Sequence, residues 1–434
     1  MPSNAVERRD FLKSAVAAIS MPSLVAGIAA AEDGPAPAPS DQITLGCIGL
    51  GTHGMGWNLE AFLALPEARV LAVCDVFRER RDKGRDKVNA AYGNQDCTVH
   101  TDFREILARK DIDAVVISTP DHWHVLMSVM AAKAGKHVFC EKPTLTVQQG
   151  QFLVDFMNRA GVVYQGGIED RSVEQYYRMA ELARNRRLGK LKRILVTLPV
   201  GEIFPKEDPA PIPKGLNYDL WLGPAPYTPY TPTKLGPQQW RNVWDYSGGK
   251  LTDWGAHLLD TAQVAIFQEQ GGPLSVDGKG VFPKDAMTTT ATEYEIHYQY
   301  PGDVELIVKS GGTGIRIEGA DGWVECPAWR QPLQASDPAI LETVIAPGES
   351  KMWARPTSEH QDFLNGVKKG KTPCYTPEDI HRLSSVMHIG NISMRLGRKL
   401  VWDSARETFS DDAEANALLS RPMRAPWSLK AAAT

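Results

Sequence analysis

Lys142, in Glu141-Lys142-Pro143, and the pair Asp253 and His257, within the segment 248–260, are side chains able to hold or move a proton near neutral pH. Thr252 is a good helix N-cap, which puts Asp253 and His257 at i and i+4 on one helical face. There His257 can take a carbinol proton, with Asp253 orienting it or binding another hydroxyl. Asp260 falls on much the same face. A structural, helix-capping histidine fits the same residue types, and a metal held by Asp253, His257 and Asp260 is the weaker reading; no metal is expected. Lys142 can hydrogen-bond a hydroxyl and help shuttle its proton, the plain alternative being a solvated surface lysine.

A second constellation binds rather than reacts. Gly49-Leu50-Gly51-Thr52-His53-Gly54 has the spacing of a dinucleotide-phosphate turn. Gly49 permits the tight turn, Gly51 lets backbone approach a pyrophosphate, and Gly54 lets the following helix pack on its strand. Thr52 lies at that helix's start, where the backbone carries partial positive charge. Asp75 follows 21 residues after Gly54, where a carboxylate can take ribose hydroxyls. An acid there repels a 2′-phosphate, so NAD is expected, with Arg78 and Arg80 leaving NADP open. Thr119-Pro120-Asp121-His122-Trp123-His124 reads as a loop over the nucleotide. His122 and His124 are expected to hydrogen-bond ribose or substrate, with Trp123 as a sugar-stacking face. No Cys or His nearby completes a zinc set around them.

These residues need a scaffold, and the chain supplies one by alternation. Short apolar runs at 43–49, 70–75, 114–118, 137–140 and 162–165 are separated by helical stretches such as 102–107 and 125–134. This is the pattern of a doubly wound parallel sheet, with reactive residues at the carboxyl ends of its strands. The character changes beyond about 172. Segment 201–237 holds nine of the 30 prolines, and four of the eleven tryptophans (Trp221, Trp240, Trp244, Trp254) fall in or just after it. Arg241, Trp244 and Tyr246, with Trp240, are the expected substrate-shaping residues. Alternating strands over 276–326 suit an antiparallel sheet with one open face, and a long helix is expected over 377–396. The fold class is α/β: a Rossmann domain at 43–165, then an α+β domain at 166–402 with a large, mainly antiparallel sheet, and a tail at 403–434.

Taken in order, the glycine turn, Asp75, the Thr119–His124 segment, Glu141-Lys142-Pro143 and Asp253-x-Gly255-x-His257-x-x-Asp260 resemble the Gfo/Idh/MocA family, which includes glucose–fructose oxidoreductase and inositol dehydrogenases. The resemblance covers about 43–402. It implies Lys142, Asp253 and His257 as a catalytic trio, and Thr119, Pro120, His122, His124, Glu141 and Gln165 as cofactor contacts. It further implies reversible hydride transfer between a sugar or cyclitol hydroxyl and a tightly bound nicotinamide cofactor, and a homodimer or homotetramer. Some relatives instead use NAD catalytically as glycosidases, by transient oxidation, elimination and re-reduction, and that is the alternative reading.

Composition agrees. Among 434 residues, 43% are hydrophobic and 23% charged, with 48 Lys and Arg against 52 Asp and Glu. The near-balance leaves no basic surface for nucleic acid, so small uncharged partners fit better. Arg8-Arg9-Asp10-Phe11-Leu12-Lys13, a short interrupted apolar run and Ala29-Ala30-Ala31 read as a twin-arginine signal peptide at 1–31, with a proline-rich linker at 32–42. The expectation is a periplasmic protein without a membrane span once processed, exported folded with its cofactor. The six cysteines contain no C-x-x-C pair, and no disulfide framework is expected.

Overall fold

The computed structural model describes residues 41–267 and 271–434. The expected signal peptide lies outside the described residues, as does nearly all of the linker.

Strands β1 (Ile43–Ile48), β2 (Ala68–Cys74), β3 (Thr98–His100), β4 (Ala114–Ile117), β5 (His137–Glu141) and β6 (Tyr164–Gly167) form a parallel sheet in the order β3-β2-β1-β4-β5-β6. All four residues of β4 are buried, because helices cover both sheet faces. β3 was not anticipated: it is a three-residue edge strand, too short and too solvated to leave a hydrophobic period. The strand order reverses between β1 and β4, which opens a crevice above their carboxyl ends. Gly49 closes β1 on one side of that crevice, and Thr119 follows β4 on the other.

From the glycine turn the chain enters a helix that is over-wide, with π geometry, across Gly54–Leu59 and tightens into α1 (Glu60–Leu63). Helices α2 (Arg78–Tyr92), α3 (Phe103–Leu107), α4 (Asp121–Lys133) and α5 (Val147–Ala160) complete the layer. The start of α4 corrects an expectation. Pro120 takes the N-cap position and Asp121 favours the positive helix end, so His122, Trp123 and His124 lie in the first turn of a helix and not in a loop.

The second sheet is built from β7 (Leu191–Leu198), β8 (Ser275–Val281), β9 (Glu293–Tyr300), β10 (Val304–Ser310), β11 (Ile315–Gly319), β12 (Trp323–Cys326), β13 (Gln334–Ala335), β14 (Leu400–Asp403) and β15 (Thr408–Phe409). Its order among the described residues is β13-β12-β11-β7-β10-β9-β8-β14-β15, with only the β7–β10 pairing parallel. In β9, Tyr294, Ile296, Tyr298 and Tyr300 are buried while Glu293 and Glu295 point to solvent, so one face is covered and the other open. The cover consists of α6 (Glu174–Arg184), α9 (Gly255–Ile266) and α12 (Pro377–Leu396). Between α6 and α9 lie β7 and two short helices, α7 (Tyr218–Leu222) and α8 (Lys250–Asp253). The long helix α12 has the expected span, opened by a Thr376–Asp379 capping box.

The two halves share one core. Val138 and Trp123 of the first sheet's layers belong to the same packed cluster as Leu251, Ile380 and Tyr298. Helices α10 (Pro338–Glu342) and α11 (Glu359–Lys369) follow β13, and α11 returns beneath the first sheet, where Phe363 packs against Phe62 and Phe139. The tail also packs: Trp427 meets Trp123 edge-on at 4.8 Å between ring centroids. None of the six cysteines is bridged. No helix among the described residues is long and apolar enough to cross a membrane.

Candidate active site

The crevice between β1 and β4 fits a dinucleotide. Gly49 has φ +88°, and a Cβ there would lie 2.6 Å from the Ser118 carbonyl oxygen. A Cβ at Gly54 would lie 2.1 Å from the Gly49 oxygen, so both glycines are required for the turn, helix and β4 to pack. At Gly51 the nearest atom to a Cβ is Arg80 Nη1 at 3.9 Å, which leaves space beside the backbone where a pyrophosphate must approach. Thr52 and His53 are exposed at this mouth. Thr119 Oγ1 is buried without a hydrogen-bond partner among the described residues, an orphan a bound nucleotide would satisfy. Asp75 accepts from the backbone N–H groups of Leu50 (2.7 Å) and Phe77 (2.8 Å), so it braces the glycine turn. Burial raises its carboxyl pKa, opposed by Arg80. Each oxygen keeps a second lone pair for a ribose hydroxyl.

Glu141 ends β5 and accepts from Asn58 Nδ2 (2.8 Å) and His53 Nε2 (2.9 Å). Burial pushes its carboxyl up, but the His53 charge and hydrogen bond, the Lys142 charge and the Asn58 hydrogen bond together outweigh it and bring the pKa down to about 2. Burial pulls the His53 imidazole down and Glu141 overrides it, leaving it raised. His53 and Asn58 thus clasp the glycine-turn helix to the strand that delivers Lys142.

Lys142 donates to the Asp253 carbonyl (3.0 Å) and to Asp253 Oδ1 (3.3 Å), which leaves its third N–H available. Arg241 Nε donates to the same Oδ1 at 3.1 Å. Burial pushes the Asp253 carboxyl up, yet the Arg241 and Lys142 charges win and hold it well below the carboxylate range. Of the expected trio, Lys142 and Asp253 meet directly, and His257 brings a correction. Asp253 does not orient His257. His257 Nδ1 lies 2.8 Å from Asp170 Oδ2 and 3.7 Å from Glu169 Oε2, whereas Asp253 is engaged by two cations. Trp254, between α8 and α9, keeps helical backbone angles, but His257 N–H bonds the Trp254 carbonyl (3.2 Å) while Lys142 takes the Asp253 carbonyl, so one ladder bond is skipped; Gly249, and not Thr252, caps α8. Asp260 is likewise turned away, held by Arg171 Nη2 (2.9 Å) and Tyr375 Oη (2.7 Å).

Several expected ligand contacts are structural instead. His122 is buried with Nε2 3.0 Å from the Trp221 carbonyl, and burial brings its pKa down to about 4. Trp123 is buried, its Nε1 donating to the Leu220 and Trp221 carbonyls at 3.2 Å, so no ring face is free for a sugar. His124 bridges the carbonyls of Thr119 and Pro143, at 2.8 Å each, and so ties Pro120 and the start of α4 to the Lys142 loop. Gln165 is buried and donates to the Gly166 carbonyl, while its Oε1 has no hydrogen-bond partner among the described residues. Tyr246 is fully buried in a small core with Trp221 and Trp240. The Trp244 ring is covered by Arg395 (3.8 Å) and Arg421 (3.5 Å). His122 and Trp123 are taken up because the proline-rich excursion folds back on α4 and offers them the Leu220 and Trp221 carbonyls. Arg241 alone of the substrate-shaping set stays at the site.

Glu169, Asp170, Trp329 and Arg330 stand at the site and were missed. Trp329 packs edge-on against His257 at 5.0 Å and against Trp254 at 5.3 Å. Arg330 Nη2 donates to Glu169 Oε1 at 2.9 Å. Glu169 and Asp170 carry a readable signal, since they follow β6 as Lys142 follows β5. Trp329 and Arg330 lie in an irregular loop with no such signal.

Comparison with known proteins agrees with this architecture. Residues 43–168 match the oxidoreductase family's NAD-binding Rossmann fold, and residues 204–429 match its C-terminal alpha/beta domain. An uncharacterised oxidoreductase of Rhizobium meliloti is 30% identical over 189 residues, covering 42% of this chain and 54% of that protein. A glycosyl hydrolase family 109 protein of Shewanella baltica is 31% identical over 176 residues, covering 36% and 37%. The alignments thus span about half of the first relative and about a third of the second. The fold is also that of the aldose–aldose oxidoreductase of Caulobacter crescentus, crystallised with glycerol, with a TM-score of 0.60 at 19% identity over 83% of this chain and 99% of that one. With its glycine turn, its lysine loop and both halves matched, the chain belongs to the Gfo/Idh/MocA family of oxidoreductases, with an NAD-binding Rossmann domain and a C-terminal α/β domain.

Proposed function

We propose that the protein transfers hydride between a hydroxyl-bearing carbon of a sugar or cyclitol and a tightly bound nicotinamide cofactor, NAD in preference to NADP. One observation carries this reading: Lys142 with a spare N–H and His257 with an unoccupied Nε2 flank the same buried carboxylate, Asp253, at the carboxyl edge of the nucleotide-binding sheet. Among the described residues no group bonds His257 Nε2. The cofactor, when bound, supplies the carbon that accepts or returns hydride. His257 Nε2 takes the hydroxyl proton as the carbinol is oxidised and returns it in reverse. Lys142 holds the substrate oxygen through its third N–H and stabilises the charge that develops there. Asp253, clamped by Arg241, fixes the ammonium. Asp75 supports the choice of NAD by presenting a carboxylate where NADP carries a phosphate.

The name of the aldose-acting neighbour supports a carbohydrate substrate. A glycosidase working by transient oxidation is the second reading, favoured by the family 109 relatives. Export by the twin-arginine route to the periplasm belongs to the proposal and rests on Arg8-Arg9 and the segment after them. Assembly as a homodimer or homotetramer rests on the open face of the second sheet, where Arg193 pairs with Glu318 and His297 with Glu305.

The deciding experiment uses purified protein. Mass spectrometry after denaturation is expected to release NAD, and incubation with sugars and cyclitols is expected to reduce it. Aglycone release from aryl glycosides without added NAD or NADH accumulation would overturn net dehydrogenation in favour of the second reading.

A further inference from the structure

Three carboxylates lie together at the carboxyl end of β6 and on α9: Glu169, Asp170 and Asp260. Two have guanidinium partners, Glu169 with Arg330 (2.9 Å) and Asp260 with Arg171 (2.9 Å). Asp170 has none. Its side chain is fully buried, Oδ1 has no hydrogen-bond partner among the described residues, and Oδ2 lies 2.8 Å from His257 Nδ1. A buried carboxylate is stable only beside a proton donor or a cation, so its one neighbour must present an N–H. With Asp170 ionised, a neutral imidazole can only donate to it, which puts that hydrogen on Nδ1 and the lone pair on Nε2.

We propose that Asp170, and not Asp253, is the positioning residue for His257. It fixes the tautomer and ring orientation that leave Nε2 as proton acceptor, and it stabilises the imidazolium formed when the substrate proton arrives. Trp329, edge-on at 5.0 Å, limits ring rotation from the other side. The inference rests on the hydride-transfer reading above. Glu169, Asp170 and His257 also present ligand atoms within 4.8 Å of one another, the spacing of a metal site. A divalent cation there would take Nδ1 and leave the proton on Nε2, the opposite chemistry. The direct 2.8 Å hydrogen bond, and the commitment of Glu169 to Arg330, favour the proton.

Asp170→Asn keeps the side-chain shape and removes the charge. Its amide can donate to Nδ1 and so select the wrong tautomer. With the cofactor-loaded protein and myo-inositol or methyl glucoside as substrate, kcat is expected to fall about 100-fold. KM should change less than about threefold, with cofactor content and melting temperature unchanged. The pH at which kcat/KM half-rises on the acid side should move down, because losing the carboxylate makes the imidazolium less stable. Asp170→Glu should recover part of kcat. Independently of turnover, ¹⁵N-histidine spectra should show an Nδ1–H on His257, assigned by its loss in His257→Gln, that is altered in Asp170→Asn.

A kcat within threefold of wild type with an unmoved acid limb overturns the proposal. So does a His257 without Nδ1–H, or a stoichiometric divalent metal whose chelation abolishes activity. If wild type transfers no hydride, the reaction reading fails, and the spectra alone decide the pairing.

Discussion

At the scale of single residues, the site is a set of carboxyl groups tuned apart by their neighbours. Asp253 is held ionised by Arg241 and Lys142, and Glu141 by His53, while burial and then Glu169 push Glu359 up to about 8. Glu359 still accepts a hydrogen bond from Trp57 Nε1 at 3.0 Å. Its raised pKa has a definite sign for stability. Below about pH 4.5 it is protonated folded or unfolded; between there and pH 8 only the unfolded chain ionises, so stability falls as pH rises. Glu359→Gln should remove that slope and stabilise the protein at pH 8 by on the order of a few kcal/mol relative to pH 5. Urea unfolding at the two pH values measures it, and an equal wild-type and variant difference would refute it. Glu141 acts in the other direction: its contribution is complete above about pH 4.5 and is lost as pH falls towards 2. Lys142→Met should lower kcat by about 10²–10⁴-fold with the fold retained, because Arg241 still neutralises Asp253. Single-turnover absorbance of the reduced cofactor is the readout.

At the scale of elements, the two outer glycines of the fingerprint serve packing and the middle one serves the ligand. Gly54→Ala drives a Cβ against the Gly49 carbonyl and should destabilise the protein by about 1–3 kcal/mol. Gly51→Ala meets only the far end of Arg80, so the melting temperature should stay within about a degree while bound NAD is lost. If both variants lose stability equally, the open space at Gly51 is not a ligand cradle. The β1 turn was legible in sequence because strand, glycine spacing and helix are contiguous. The first turn of α4 was not. His122-Trp123-His124 has the residue types of a binding loop, and only the packing of residues 217–247 against it shows that those rings are core.

At the scale of the whole molecule, the chain's last segment fastens the substrate side to the nucleotide side. Arg424 donates to the carbonyls of Gly223 (2.9 Å) and Asp219 (2.8 Å), Arg421 donates to the Trp244 carbonyl, and Trp427 caps Trp123. Trp427→Ala should cost about 2–3 kcal/mol, less than a fully buried tryptophan because the residue is only partly buried. Ending the chain at Ser420 should speed amide exchange across residues 218–246 and lower kcat, since Arg241 lies in that stretch. Unchanged exchange there would show the tail to be dispensable. The expected division of the chain at 165 is softened in the same way: β6 runs to Gly167, and α11 and α12 return to pack on the first sheet.

The sequence by itself determined the parallel sheet, the glycine turn, the loop that carries Lys142 and the helix over 377–396. Each rests on hydrophobic period, turn chemistry or strand-end position, all of which act over a few neighbouring residues. Only the tertiary structure decided which charge meets which. His257 reaches Asp170, 87 positions away, in preference to Asp253, four positions away, because Asp253 is already engaged by Lys142 and Arg241 while Asp170 has no cation of its own among the described residues. Hydrogen-bond partners are chosen within about 3 Å, a tolerance that only the packing of distant segments can set.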